Sequence, residues 1–431
     1  MAGSESTAQT LAEKILAAHC SKTAVHPGEF INARVDLVLA SELSGILAVE
    51  EFEKIRGAHI FDPQKVVFVM DHFTPAKDIA SAEIVKRCRE FARRHGIRFY
   101  DVGRAGIQHV LLPEQGLVSP GDLIAGADSH TCTYGALGAF GTGIGSTDAA
   151  AAMALGELWL KVPESARFVY RGRPPRWVGG KDLILHTIGA IGVEGARYQA
   201  MEFSGEAIEF LGLADRFSMA NMAIEAGAKT GLFAPDERAR EFVRAAGGHV
   251  RDAAHWTSDR DAVYAAEYTF DVSRFEPFVA VPFLPENVRP VSEVAGVPID
   301  QVVIGMCTNG NLADLRAAAE VLAGRTVHPH VRAIVIPGSQ KVYLDALREG
   351  LIEIFIDAQC VVSTSTCGPC LGGHMGVLAA GERCVSTSNR NFRGRMGHPE
   401  SEVYLANPYV AAASAVAGCL ASPEAVLGRE A

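Results

Sequence analysis

Residues 301–350 read QVVIGMCTNG NLADLRAAAE VLAGRTVHPH VRAIVIPGSQ KVYLDALREG, and their alternation decides the fold. Gln301–Met306 (QVVIGM) and Val331–Ile336 (VRAIVI) are short apolar runs of strand length, rich in β-branched residues. Leu312–Leu322 and Gln340–Arg348 carry helical spacing between and after them. Strands alternating with helices of about ten residues predict βαβ units and a mostly parallel sheet. Beyond them, Ile352–Ile356 and Cys360–Ser363 are predicted to be extended.

Working outward, the α/β reading extends in both directions. Val66–Met70 (VVFVM) reads as a buried strand. Ile79–His95 has helical periodicity, and Gly96 is placed to stop that helix. Near the start, Thr10 and Glu13 have capping-box spacing, with Leu11, Ile15 and Ala18 forming an apolar stripe, which predicts a helix from Thr10 to about Ala18. Val281–Pro298 gathers Pro282, Pro285, Pro290 and Pro298 without periodicity, so a domain boundary is expected there, dividing residues 1–285 from 286–431.

Composition narrows the function. The 431 residues carry 40 Lys+Arg against 50 Asp+Glu, a formal net charge of −10, with 48% hydrophobic and 21% charged residues. That is ordinary globular composition, and without a basic tract it argues against a dedicated nucleic-acid binder. The 43 glycines exceed the usual share of about 7% and point to close backbone approaches in ligand-cradling loops. No apolar run nears the ~20 residues that span a bilayer. The opening MAGSESTAQTLAEKILAAHC lacks a basic segment followed by an apolar core, so no signal peptide is expected and the expected location is the cytoplasm.

Nine cysteines, an odd number without a secretion signal, do not suggest a disulfide framework. Three stand apart. Cys307 follows the QVVIGM strand, and Cys367 and Cys370 form a C-x-x-C in Thr366-Cys367-Gly368-Pro369-Cys370. All three are placed at carboxyl ends of strands, where ligand sites of open α/β sheets lie. Spacing alone leaves a redox pair, a zinc site and an iron–sulfur cluster all standing, because a fourth thiolate is missing for the last and a well-spaced fourth ligand for the second.

The surrounding motifs add acid–base and anion-binding chemistry. Asp71-His72 ends the VVFVM strand, and Gly106-Ile107-Gln108-His109 and Asp128-Ser129-His130-Thr131 sit in Gly-flanked turns. Asn221 and Glu225, four apart, are predicted to share one helix face. Ser388-Asn389-Arg390-Asn391-Phe392-Arg393-Gly394-Arg395 follows a strand at Arg383–Thr387 and offers arginines for carboxylates.

With these motifs in order (GADSHTCTYGALGAFGTGIGSTD, CTNG, CGPC and SNRNFRGRMGHP), the chain resembles the aconitase superfamily over nearly its whole length, and within it the large subunits of 3-isopropylmalate dehydratase and homoaconitase. The resemblance implies three mixed α/β domains with mostly parallel sheets around a cluster-bearing cleft. It implies that Cys307, Cys367 and Cys370 hold one [4Fe–4S] cluster whose fourth iron has no protein ligand and acts as a Lewis acid. Asp71, His72, His109, Asp128, Ser129, His130 and Glu225 are then catalytic candidates. Arg390 and Arg395 would grip substrate carboxylates, and Asn221 and Asn389 would orient groups at the cluster. The implied reaction is dehydration and rehydration of a hydroxy-dicarboxylic or tricarboxylic acid, foremost the 2- and 3-isopropylmalate isomerisation of leucine synthesis, with homoaconitase or another alkylmalate dehydratase as the alternative.

The resemblance also implies a partner and some departures. Single-chain aconitases end in a mobile domain whose Gly-Ser-Ser-Arg-Glu motif supplies a serine base; that motif is absent from this sequence, so a small subunit carrying it is expected. Ser41-Glu42 stands where short-form relatives commonly have His-Asp, and Val110 follows His109 where Gln is usual. Some superfamily members bind RNA without their cluster, a remote alternative that the −10 charge disfavours.

Overall fold

Parallel pairing dominates the sheets of the computed structural model, which describes residues 8–250 and 255–428. Residues 1–7, at the head of the stretch read for a signal peptide, lie outside the described residues. A first sheet orders Arg98–Tyr100, Val66–Val69, Leu37–Ser41, Leu123–Gly126 and Phe140–Gly143, all parallel. A second, also parallel, orders Thr230–Leu232, Ala200–Ser204, Ser165–Arg171 and Ala266–Asp271. The third places Glu402–Leu405, Arg383–Ser386, Gln301–Gly305, Arg332–Ile336 and Val361–Val362 side by side in parallel, and adds Phe278–Ala280 and Val288–Pro290 antiparallel at one edge. A two-stranded antiparallel ribbon pairs Phe30–Arg34 with Glu157–Lys161. The fold is therefore α/β with mostly parallel sheets.

The strands of the 301–350 stretch form as their composition demands. Gln301–Gly305 is buried at every position, as a central parallel strand covered on both faces must be. Helix Leu312–Leu322 starts where the Asp314 carboxylate accepts the Asn311 N–H at 3.0 Å, and Gln340–Arg348 starts on the Ser339 hydroxyl, which accepts from the Val342 N–H at 3.0 Å. At the N-terminal end, helix Leu11–His19 carries the expected box: the Thr10 N–H donates to the Glu13 carboxylate at 2.6 Å, and the Glu13 N–H to the Thr10 hydroxyl at 3.4 Å. Helix Ile79–His95 ends at Gly96, whose φ of 69° is the left-handed conformation a helix stop requires.

Two local expectations are corrected. Ile352–Ile356 is not extended: Leu351–Asp357 is a helix, burying Leu351, Ile352 and Phe355 on one face. Spacing of one and four residues along LIEIFID suits a helical stripe better than alternation. Asn221 and Glu225 do not share one α-helix either; helix Leu213–Met222 ends after Asn221, and Glu225 sits in the following 3₁₀ turn, Ala223–Ala226.

One buried cluster ties the sheets together. Val67 and Val69 of the first, Phe168 and Met201 of the second, and Val303 and Leu405 of the third pack into it, and so do Cys307 and Cys370. The thiols thus lie where the three sheets converge. The stretch at the expected domain boundary runs along the third sheet's edge, since Phe278–Ala280 precedes it and Val288–Pro290 lies within it. Among the described residues, no helix is long and apolar enough to cross a membrane.

Candidate active site

The carboxyl ends of the parallel strands deliver the chemistry-bearing side chains. After Val66–Val69 come Asp71 and His72; after Leu123–Gly126, Asp128, Ser129 and His130; after Gln301–Gly305, Cys307; after Arg383–Ser386, Asn389 and Arg390. Two glycines make the close approaches possible. Gly305 has φ 122°, and a Cβ there would meet the Ile336 carbonyl oxygen at 1.9 Å; Met306 follows at φ 68°, so the turn presenting Cys307 is held in a conformation that L residues rarely adopt. At Gly126 a Cβ would meet the Thr131 hydroxyl at 2.0 Å, which is how the Asp128–Thr131 turn folds back on its strand.

Asp128 is the hub of the acid–base group. One of its oxygens takes the His130 N–H at 2.8 Å and faces His109 Nε2 at 3.0 Å; the other takes the Gln108 amide at 2.9 Å and lies 3.8 Å from His72 Nε2. Asp71 is fully buried and does two jobs: it pairs with His72 Nδ1 at 2.7 Å and accepts the Gln108 N–H at 2.8 Å, fixing the helix that carries His109. His109 Nδ1 in turn lies 3.2 Å from the Tyr134 hydroxyl. Glu225 pairs with His130 Nε2 at 2.9 Å and takes Arg390 Nε on both oxygens, at 2.8 and 3.1 Å. Arg390 also donates to the Ser129 hydroxyl at 3.1 Å.

These contacts set the protonation states. Burial alone would lower His72, but the Asp71 charge and hydrogen bond, with Glu42 and Asp128 behind them, push it up to about 10. His130 is lowered by burial and by Arg390, yet its bonds to Asp128 and Glu225 prevail and raise it to about 9. Asp128 resists the upward push of burial because His109 and His130 hold it well below the usual carboxylate range. Glu225 is likewise held low, against burial, by His130 and Arg390. The cleft therefore keeps two histidines charged at neutral pH beside two carboxylates.

The thiols form the other half. The neighbouring Cys367 thiol depresses the Cys307 thiol against the opposing effect of burial, with His130 and His109 adding to the depression. Asn221 and Asn389 each aim an amide N–H at Cys307 Sγ, at 3.4 and 3.3 Å, and Asn389 also bonds Asn221 at 2.9 Å. The Cys370 thiol donates to the Asn389 carbonyl at 3.4 Å and lies 3.7 Å from an Arg395 nitrogen. Asn221 and Asn389 are thus fully buried against sulfur. Arg395, half-buried, has no carboxylate partner among the described residues, and its Nε has no hydrogen-bond partner at all.

The donor set fits a group larger than one ion. Among the described residues, the only trio of His, Cys, Asp or Glu side chains with ligand atoms all within 4.8 Å of one another is Glu42, Asp71 and His72. At least one pair of the three sulfurs is therefore more than 4.8 Å apart, beyond the roughly 3.8 Å separation that four bonds of about 2.3 Å to one tetrahedral zinc would impose. Two of the sulfurs, Cys307 and Cys370, have amide or guanidinium N–H groups against them, as the hydrogen-bonded thiolates that hold iron–sulfur clusters do.

All fourteen sequence-identified residues lie in this one network. What the sequence reading passed over is its support. Tyr134, inside the Asp128–Leu137 segment, holds His109. Glu42, noted only as a departure, accepts the N–H groups of Asp71, at 3.0 Å, and of Phe73. Lys181, the one lysine in the mostly apolar stretch GKDLILHTIGAI, is buried beside the segment that leads into Asn389. A lysine and an aspartate opening a mostly apolar helix were a signal available for the last.

Residues 13–418 match the model of the aconitase family (aconitate hydratase). The chain is similar to proteins named 3-isopropylmalate dehydratase large subunit: 62% identical to that of Moorella thermoacetica, over 97% of this chain and 99% of that one. Identity is 60% to that of Thermodesulfovibrio yellowstonii, over 96% and 98%, and 58% to that of Aquifex aeolicus, over 98% of each. Among solved structures, the holo-form of Thermococcus kodakaraensis aconitase X matches with a TM-score of 0.50 at 14% identity, covering 84% of each chain, which is a likeness of fold alone.

Proposed function

The chain belongs to the aconitase family, and on that premise we propose that it is the large subunit of an iron–sulfur hydro-lyase that interconverts 2-isopropylmalate and 3-isopropylmalate by dehydration and rehydration, in leucine biosynthesis. The observation that carries this reading is identity near 60% along almost the entire length of relatives bearing that name. The convergence of three thiols, three histidines and a carboxylate-free arginine in one cleft supports it independently.

Cys307, Cys367 and Cys370 would hold a [4Fe–4S] cluster, leaving one iron without a protein ligand. When bound, that group supplies a Lewis acid toward the hydroxyl being expelled. The chain's own residues do the rest. Arg395, with its guanidinium uncommitted to any carboxylate, binds a substrate carboxylate in a planar fork. Arg390 keeps Glu225 and Ser129 fixed and offers its remaining N–H groups to the cleft. The histidines around Asp128 hold the proton that the departing oxygen takes, and His72 and His130 are protonated at neutral pH, as a general acid must be. The proton at carbon is removed by a base on a small subunit, the partner that the name of the relatives implies, and closure of that subunit excludes water.

The test is to reconstitute the chain anaerobically with a cognate small subunit and assay 3-isopropylmalate beside a homoaconitate-type substrate. Turnover of the first with little of the second is expected. Turnover of only the second would move the assignment to homoaconitase.

A further inference from the structure

Lys181 is the second residue of helix Gly180–Ile191 and is only 1% exposed. A buried ammonium is costly unless it is paired, yet among the described residues it has no ion pair with a carboxylate. Its Nζ donates instead to two successive backbone carbonyls, Thr387 at 3.0 Å and Ser388. Those two residues lead directly into Asn389 and Arg390. The Thr387 hydroxyl also accepts the Gly305 N–H at 2.8 Å, so the same short segment braces the turn that presents Cys307. Asn389, next in line, contacts Cys307 and Cys370, and Arg390 contacts Glu225 and Ser129.

The ammonium therefore clamps a loop that touches both halves of the site. Burial pulls Lys181 down to about 7, although the nearby charges of Cys307, Cys370, Asp182 and Asp314 favour its ammonium form.

We infer that Lys181 is a positioning residue of the thiolate site: it locks the Thr387–Arg390 loop through two backbone carbonyls and so holds Asn389 against the sulfurs and Arg390 in the cleft. The inference rests on the iron–sulfur reading above. It assigns to a residue remote from substrate both the retention of the cluster and the placing of Arg390.

Lys181→Gln removes the charge and shortens the donor, whereas Lys181→Arg keeps charge and donors. After anaerobic reconstitution of the full chain, iron and sulfide content, the rate of iron release to a chelator, and thermal stability are measured on both and on the wild type. Lys181→Gln is expected to release iron about 10- to 100-fold faster, the range found when partners behind metal ligands are removed, and Lys181→Arg to stay within about threefold of wild type. In the complex with small subunit, Lys181→Gln is also expected to raise KM, through the displaced Arg390. A Lys181→Gln protein that holds iron as long as wild type, with unchanged KM, overturns the inference, whatever its thermal stability. So does a stability loss shared equally by both variants without faster iron release, the mark of a merely structural lysine. Wild-type protein that takes up no iron and sulfide overturns the cluster reading first, and this inference with it.

Discussion

Nε2 of His130 lies 2.9 Å from Oε1 of Glu225, a carboxylate 95 residues further along the chain, and the other side of that carboxylate is closed by Arg390. The pair joins the first sheet's Asp128–His130 turn to the segment that follows helix Leu213–Met222. It raises His130 and lowers Glu225 together, so the two are charged at once over most of the neutral range.

That coupling has a pH signature. His130 has a folded-state value near 9, above its ordinary 6.5, so its contribution to stability is fully present below about pH 6.5 and is lost as pH rises through 9. Glu225 is lowered, so its share is present above its ordinary range and is lost only as pH falls below it. Glu225→Gln should therefore lower Tm most near pH 6 and progressively less toward pH 9.5. Thermal melts of cluster-free wild type and variant across that range check this. A gap that widens with pH would remove the His130–Glu225 pair as its cause.

The arginines should separate. Arg395→Lys keeps charge but loses the fork, and because Arg395 holds no carboxylate of its own chain, the loss should fall on substrate. We expect kcat/KM to drop about 30- to 1000-fold, or about 2–4 kcal/mol, with Tm nearly unchanged. Arg390→Lys should cost both activity and stability, since it breaks the bonds to Glu225 and Ser129. Steady-state kinetics with parallel melts distinguish them; an Arg395→Lys enzyme within twofold of wild type would take Arg395 out of the substrate site.

Cysteine substitutions should divide in the same way. Cys367→Ser removes one of the three candidate cluster thiols and should abolish iron and sulfide uptake. Cys88, buried in the core of the first sheet with its thiol pushed up to about 12 by burial, is inert, and Cys88→Ser should bind iron as wild type does. Iron analysis after reconstitution gives the answer, and equal content in the two variants would sink the ligand assignment.

What could be read from the sequence was what local chemistry determines. The 301–350 alternation, the Thr10–Glu13 cap, Gly96 and the cysteine, histidine and arginine motifs each announce themselves by residue type and spacing, and the structure joins the cysteine, histidine and arginine motifs in one cleft. Ile352, Ile354 and Ile356 imitate strand alternation, whereas the residues that pack, Leu351, Ile352 and Phe355, follow the helical period. Lys181 and Glu42 escaped for another reason. Whether a charged side chain is buried, and which backbone groups it meets, is set by segments distant in the chain, 206 residues on for Lys181 and 29 for Glu42.

The central claim is that this chain binds and polarises an alkylmalate but needs a second chain to complete the reaction. The direct measurement is turnover of 3-isopropylmalate by the anaerobically reconstituted chain, alone and with its small subunit added. Because general-base catalysis contributes about 10²–10⁴-fold, the chain alone should turn over at least about a hundredfold more slowly than the pair, and the pair's activity should decay in air along with its iron. Full turnover by the single chain, or no turnover by the iron-loaded pair, would contradict the account.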